Sequence, residues 1–309
     1  MRLNHLLLLA GAVFVLGAPD TALAWGPAVH IGMARTVLDS LSILPVAVAA
    51  ILARNGIAYL YGNIAADIVF AKRLSRVKQF CHHWSTAFRL LDRASSEQGR
   101  AFAYGYLSHL AADTVAHGKY VPHQIMISNC STRFGHLYWE SRADAVEKEA
   151  SWRELETVLD DDHDHHHATL EPYISDTFLS YELNRLLFNH MNALAVRRTF
   201  RRTMKVLGRR SRWNLSDALM EGYRAECVER ISAILREGKQ SALLREDPNG
   251  TSALMHLSVR RREQRRLRRQ GIPLMQRQLE TSRALGPCPT NLPGIGDGPS
   301  LIPTEGATL

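Results

Sequence analysis

Tyr106-Leu107-Ser108-His109-Leu110-Ala111-Ala112-Asp113-Thr114-Val115-Ala116-His117 sets three polar side chains four residues apart in a run of otherwise small or apolar ones. At 3.6 residues per turn, positions i, i+4 and i+8 share one helical face, with steps of about 6 Å and about 12 Å between the outer two. Two imidazoles and a carboxylate on an apolar helix are costly to bury unless they pair or bind metal. With ligand bonds near ~2.0 Å, one ion does not easily take both His109 and His117, so the ladder suits two metals with Asp113 placed to bridge them. A second four-residue pair follows in Phe134-Gly135-His136-Leu137-Tyr138-Trp139-Glu140. With His117, His136 and Glu140 complete the two-histidine, one-glutamate set that leaves a zinc position open for water or substrate.

Outward from this ladder the pattern stays helical. Apolar residues recur at helical spacing from Pro27 to Leu41, Pro45 to Ala53, Ala87 to Ala94 and Gln98 to His117. Further helices are expected at 134–158, 176–208, 215–237 and 252–270. Asn55-Gly56 and Gly118 are expected helix stops, and Ser95-x-x-Gln98 reads as a capping box. Alternating β-branched runs with hairpin turns are absent, so the expected fold class is all-α, a single compact helical domain.

The chain has 309 residues, 46% hydrophobic and 22% charged, which excludes global disorder, collagen and a polytopic membrane protein. Arg2, the apolar run Leu6 to Leu16 and the small-x-small Ala22-Leu23-Ala24 mark residues 1–24 as a signal peptide cleaved before Trp25. The mature chain is therefore expected to be exported, either secreted or periplasmic. Residues 25–240 form the expected main domain, 241–285 a basic helical region, and 286–309 a Pro/Gly-rich tail expected to be disordered. Cys81, Cys130, Cys227 and Cys288 allow at most two bridges and contain no C-x-x-C pair, so no pairing is assigned.

The order of polar residues resembles that of the bacterial zinc-dependent phospholipase C family, over roughly residues 25–145. Trp25 at the expected mature terminus is followed by His30 and by Asp67 in Gly62-Asn-Ile-Ala-Ala-Asp-Ile68. Next come His82 in Cys-His-His-Trp84, the ladder His109, Asp113 and His117, and last His136 and Glu140. The resemblance implies an all-helical phosphodiesterase domain with three zinc ions. Asp67, His82, His109 and Asp113 would hold one, and His117, His136 and Glu140 the second. The amine and carbonyl of Trp25, with His30 and Asp113, would hold the third. His82 is chosen because the family's ligand stands two residues before an aromatic, here Trp84; His83 is the alternative.

Such a set grips a phosphodiester's non-bridging oxygens and activates water without a serine or cysteine nucleophile. Asp67 is the candidate to orient that water or accept its proton. The implied products are diacylglycerol and a phosphorylated head group. Choline-recognising members carry an acidic residue where this chain has Ala28, and their aromatic head-group contacts fall at Ile68 and Gln79, so choline specificity is not implied. A P1-type nuclease or 3′-nucleotidase with a similar trinuclear site is the alternative enzyme, although its ladder usually spaces the aspartate and second histidine more widely. A metal- or surface-binding module without turnover is the alternative from another class.

Net charge is +8 and unevenly placed: residues 25–195 carry −3 (15 basic, 18 acidic) and 196–309 carry +11 (22 basic, 11 acidic). Eight basic residues in 197–212 and seven arginines in 260–269 suit contact with an anionic membrane surface or, under the nuclease reading, nucleic acid. A solvated helical face is the competing reading. Asp160-Asp-Asp-His-Asp-His-His-His167 suits loose metal capture but reads first as a solvated loop.

Overall fold

The computed structural model describes residues 25–70, 80–128, 130–174, 177–211, 213, 215–273, 276, 277 and 280. The expected signal peptide and the Pro/Gly-rich tail lie outside the described residues. In chain order the helices are α1 (Pro27–Leu38), α2 (Val46–Arg54), α3 (Gly56–Ala65), α4 (Trp84–Arg93), α5 (Glu97–Val115), α6 (Val121–Ser128) and α7 (Thr132–Ala145). They continue with α8 (Glu149–Leu159), α9 (Asp164–Ile174), α10 (Tyr181–Ala195), α11 (Arg198–Arg209), α12 (Asp217–Glu237) and α13 (Thr251–Arg269). Short 3₁₀ turns occur at Ala66–Ile68 and Phe80–His82 among others. No strand occurs among the described residues, and the fold is all-α.

Helix α5 is the axis of the molecule. From Ala101 to Val115 all but one of its residues are buried, because α2, α3, α4 and α12 pack around it. A helix apolar on every side is a core helix, and its small residues let neighbours come close. Gly62 of α3 and Gly105 of α5 make the closest crossing: a Cβ on Gly62 would lie 2.1 Å from the Phe102 carbonyl oxygen, and one on Gly105 would lie 2.0 Å from that of Tyr59. Side chains at either position would push α3 away from α5, and α3 leads directly to Asp67.

Several helix boundaries differ from the sequence expectation. The cap of α5 is Ser96, whose hydroxyl accepts the Gly99 amide at 3.0 Å, one residue beyond Ser95. Gly118 does not stop the helix. The chain passes through a π-helical turn, Ala116–Tyr120, and runs on into α6. Packing outweighs the glycine there: Tyr120 is fully buried, stacks on Trp25 at 4.4 Å and donates its hydroxyl to the Trp139 carbonyl at 2.8 Å. The span expected at 134–158 is two helices, broken where the Glu147 carboxylate accepts from the Lys148 amide and Ser151 hydroxyl and pairs with Arg224 of α12. The span 176–208 likewise divides into α10 and α11, at an extended Arg197.

The Asp/His tract is a solvated loop only in part: Asp160, Asp161 and Asp162 are exposed outside any helix. Asp164–Ile174 is helix, and His163, His166 and His167 are buried. His163 stacks on Tyr61 at 3.5 Å, His166 on Phe102 at 4.4 Å, and His167 lies between the hydroxyls of Tyr61 (2.8 Å) and Tyr181 (2.6 Å). These three rings are packing residues of the core. Cys81, Cys130 and Cys227 form no disulfide among the described residues.

Candidate metal centre

Asp113 sits in the last turn of α5 with no exposure to solvent, and four imidazoles converge on it. His30 Nε2 lies 3.5 Å from its Oδ1. His82, His109 and His117 Nε2 atoms lie 3.2, 3.1 and 3.9 Å from Oδ2. The helices explain the convergence. His109, Asp113 and His117 come from one face of α5 and its π turn, His30 from the first turn of α1, and His82 from the 3₁₀ turn before α4. Asp67 follows α3 in a 3₁₀ turn and places Oδ1 3.2 Å from His82 Nε2 and Oδ2 4.0 Å from His109 Nε2.

Three groups have donor atoms within 4.8 Å of one another: His30, His109 and Asp113; Asp67, His82 and His109; and His117, His136 and Glu140. All eight of these side chains are buried. His117 Nδ1 and His136 Nε2 are 3.1 Å apart, and His109 Nε2 and His82 Nε2 are 3.2 Å apart. Such nitrogen pairs are unfavourable if both rings present lone pairs, and a shared cation relieves them.

The polar accounting fits a metal. Both ring nitrogens of His30 and both carboxylate oxygens of Asp113 are buried without a hydrogen-bond partner among the described residues. Orphaned buried polar atoms of this kind call for a bound ion. Burial alone would raise the Asp113 pKa, but His109, His30 and His82 outweigh it and hold the carboxyl well below its usual range. Burial pushes His136 down to about 4, which leaves a neutral, ligating ring at neutral pH. His109 is oriented from behind: its Nδ1 meets the Asn63 carbonyl at 2.8 Å, which fixes Nδ1–H and points the Nε2 lone pair into the cluster. A set of imidazoles and carboxylates is the donor chemistry of zinc.

Other sequence candidates separate cleanly. His82 is inside the cluster and His83 is exposed at the cap of α4. The Trp25 ring is buried, stacked on Tyr120, with its Nε1–H donating to the Ala112 carbonyl at 3.4 Å, one residue from Asp113. Ala28 and Ile68 are buried core residues, and Gln79 lies outside the described residues.

Several supporting residues escape a motif reading. Asn249 donates from Nδ2 to the His82 carbonyl at 3.1 Å, and Gly250 packs directly on His117. Both lie in Asp247-Pro-Asn-Gly250, a turn signature whose role depends on a contact 133 residues back along the chain for Gly250. Asp144 accepts the Val29 amide at 3.1 Å and so caps α1 beside Gly26, where an added Cβ would fall 2.0 Å from the Asp144 carboxylate carbon. Its position, four residues after Glu140, was the available signal. Burial raises its pKa to about 8, an effect partly offset by the backbone hydrogen bonds from Val29 and Ala28.

A family model described as zinc dependent phospholipase C matches residues 29–186, half of the chain. No curated protein and no solved structure matches it.

Proposed function

The chain belongs to the zinc-dependent phospholipase C family, and from that premise we propose that it is an exported, trinuclear zinc phosphodiesterase that cleaves phospholipids to diacylglycerol and a phosphorylated head group. The observation that carries the count is Asp113. Its two oxygens face different imidazoles, His30 on one side and His82 and His109 on the other, as a bridging carboxylate would. Asp67, His82, His109 and Asp113 are assigned to one ion, and His117, His136 and Glu140 to the second. His30, Asp113 and the main-chain amine and carbonyl of Trp25 are assigned to the third. The leader-like residues 1–24 support export. No described helix is long and apolar enough to cross a membrane.

Zinc held there supplies a Lewis acid for the phosphoryl oxygens and water of lowered pKa. The chain's residues do the rest. Asp67 lies at the edge of the cluster, 8% exposed, and borders the cavity that opens beside it. It holds the attacking water and takes its proton. Attack forms a new P–O bond opposite the glycerol oxygen, which leaves with its electron pair and is protonated by solvent. Asn63 keeps His109 aimed, and Asp144 keeps the start of α1, and with it His30, against the site.

An anionic membrane surface is the proposed partner of the basic third. In α11, Arg198, Arg202, Lys205 and Arg209 are exposed at helical spacing on one stripe, while Phe200 and Met204 face the cavity beside the metal cluster. The basic stripe therefore lies on the solvent side of the helix whose other face walls the cavity. In α13, Arg262, Arg265, Arg266 and Arg269 form a second basic patch.

The deciding experiment measures zinc per chain in processed protein and hydrolysis of a phospholipid panel beside single-stranded DNA and RNA. The expected result is about three zinc ions and turnover of lipids alone. Cleavage of the nucleic acids instead would assign a P1-type nuclease, and zinc without turnover a binding module.

A further inference from the structure

A cavity of about 90 Å³ opens directly from the metal cluster, with His30, Asp67 and Glu140 at its inner end. Its outer wall is Phe70, Leu137, Phe188, Met191, Phe200 and Met204. The last four come from α10 and α11, beyond residue 186 where the family match ends. Much of the wall is thus built by a part of this chain that the match does not cover. We propose that this cavity binds an apolar hydrocarbon segment of the substrate, the first methylenes of one lipid chain, and so selects lipid phosphodiesters over short-chain or polar ones. The proposal rests on the phospholipase reading and extends it from the phosphate to the tail.

Three observations carry it. The cavity is continuous with the ligands, so a chain lying in it belongs to the same molecule as a phosphate on the metals. Three polar side chains along it are already engaged, although Trp152 Nε1 and Arg201 Nε are buried without a hydrogen-bond partner among the described residues. Asp144 accepts the Val29 amide, Asn192 donates to the Phe188 carbonyl, and Arg201 pairs with Glu149. Finally, four aromatic rings border it (Phe70, Trp152, Phe188 and Phe200), which by themselves would also suit a quaternary ammonium. The buried Arg201 guanidinium, 5.1 Å over the Trp152 ring, already occupies one face of that ring.

The volume limits what fits. About 90 Å³ holds a few methylenes and no second polar group. Each methylene moved from water into the cavity is expected to raise kcat/KM about 4-fold until the space is full.

Two measurements test this, both on the processed, zinc-loaded enzyme and, for binding, on zinc-free protein as well. The first follows p-nitrophenyl phosphodiesters of straight-chain alcohols of two to ten carbons, kept monomeric. The expected kcat/KM rises steeply with chain length and then levels. The second follows tryptophan emission with 8-bromooctanol, a heavy-atom quencher that carries no phosphate. Saturable quenching is expected with or without zinc and is expected to shrink in Trp152→Phe. Ala195→Phe, and separately Met204→Phe, fill the cavity and are expected to flatten the chain-length profile and abolish saturable quenching at unchanged zinc content. A flat wild-type profile, or quenching indifferent to both filling variants, overturns the cavity assignment and leaves the phospholipase reading standing. Displacement of 8-bromooctanol by choline also overturns it, because the cavity then takes a cationic head group. Hydrolysis of none of the diesters at full zinc content overturns both.

Discussion

Gly250 packs so closely on His117 that a Cβ there would lie 2.5 Å from the His117 Cβ and 2.7 Å from its carbonyl oxygen, and it does so at a backbone φ of +64°. Any other residue meets two obstacles at once, a left-handed conformation and a collision with the helix that carries the ladder. The strain alone costs about 1–2 kcal/mol. Gly250→Ala is expected to lower thermal stability and to displace His117, so that about one zinc is lost. Gly238 is the control: its φ is +55°, but nothing lies within 4 Å of its added Cβ. Gly238→Ala is expected to cost similar stability with zinc content intact, as read by melting temperature and metal analysis.

Asp113→Asn removes the charge that four imidazoles share. It is expected to lose more zinc and more turnover than any other single change, by at least about 100-fold in kcat, since losing even a hydrogen-bond partner behind a metal ligand costs about 10–100-fold. Metal analysis and phospholipid hydrolysis check it, with circular dichroism to show that the helices remain.

The proposed third ion needs a free amine on Trp25, whose pKa near ~8 lets zinc displace its proton at neutral pH. A chain started as Met-Trp25 is expected to fold, since the indole still stacks on Tyr120, but to bind about one zinc fewer and lose most turnover. Full zinc and full activity in that form would remove Trp25 from the ligand set.

Replacing Arg198, Arg202, Lys205 and Arg209 by Gln is expected to weaken binding to anionic vesicles at low salt, with the difference fading as salt screens surface charge within ~8–10 Å. The same change at Arg262, Arg265, Arg266 and Arg269 is expected to have the smaller effect on interfacial turnover, because α11 walls the cavity with its opposite face and α13 does not. Vesicle sedimentation across a salt series reads both.

Acid stability tests the buried histidines. Burial is the main cause that pushes His166 down to about 3 and His167 to about 4; His165 and His163 add to it for His166, and Arg185 and His163 for His167, while Asp164 and Asp162 oppose it at His167. The folded state thus resists protons that the unfolded chain accepts below about 6.5. Stability is therefore full above that value and falls with decreasing pH through the window from about 6.5 towards 4. His166→Phe, which keeps the stack on Phe102, is expected to flatten that fall in a melting series from pH 7 to 4.

The helical ladder and the helix pair around it were legible because their information is local. Positions four apart on a helix face one way whatever the rest of the chain does, and the His109, Asp113 and His117 spacing carries that directly. The tract at 160–167 misled for the same reason. Its local composition is polar, but Tyr61 and Phe102, brought in from α3 and α5, supply stacking partners that no window of sequence contains. Asn249 and Gly250 were illegible as site residues because their partners are distant in sequence. The breaks near residues 147 and 197 carry neither Gly nor Pro, and the first is set by Glu147 reaching Arg224.

The π-helical turn at Ala116–Tyr120 has one more consequence. Such a turn amounts to a single extra residue accommodated within an α-helix, and here it contains His117, the last ligand of the ladder. It therefore sets the direction of His117 relative to Asp113 behind it and to His136 and Glu140 ahead of it. Gly118 has open space where a Cβ would be, so exchanging it for alanine leaves that direction alone. Deleting it would remove the extra residue and restore ordinary helix, with the downstream helix keeping its phase and the turn itself redrawn. The ligand identities would be untouched, yet His117 would no longer converge on His136 and Glu140, and the lesion would be one of count rather than chemistry.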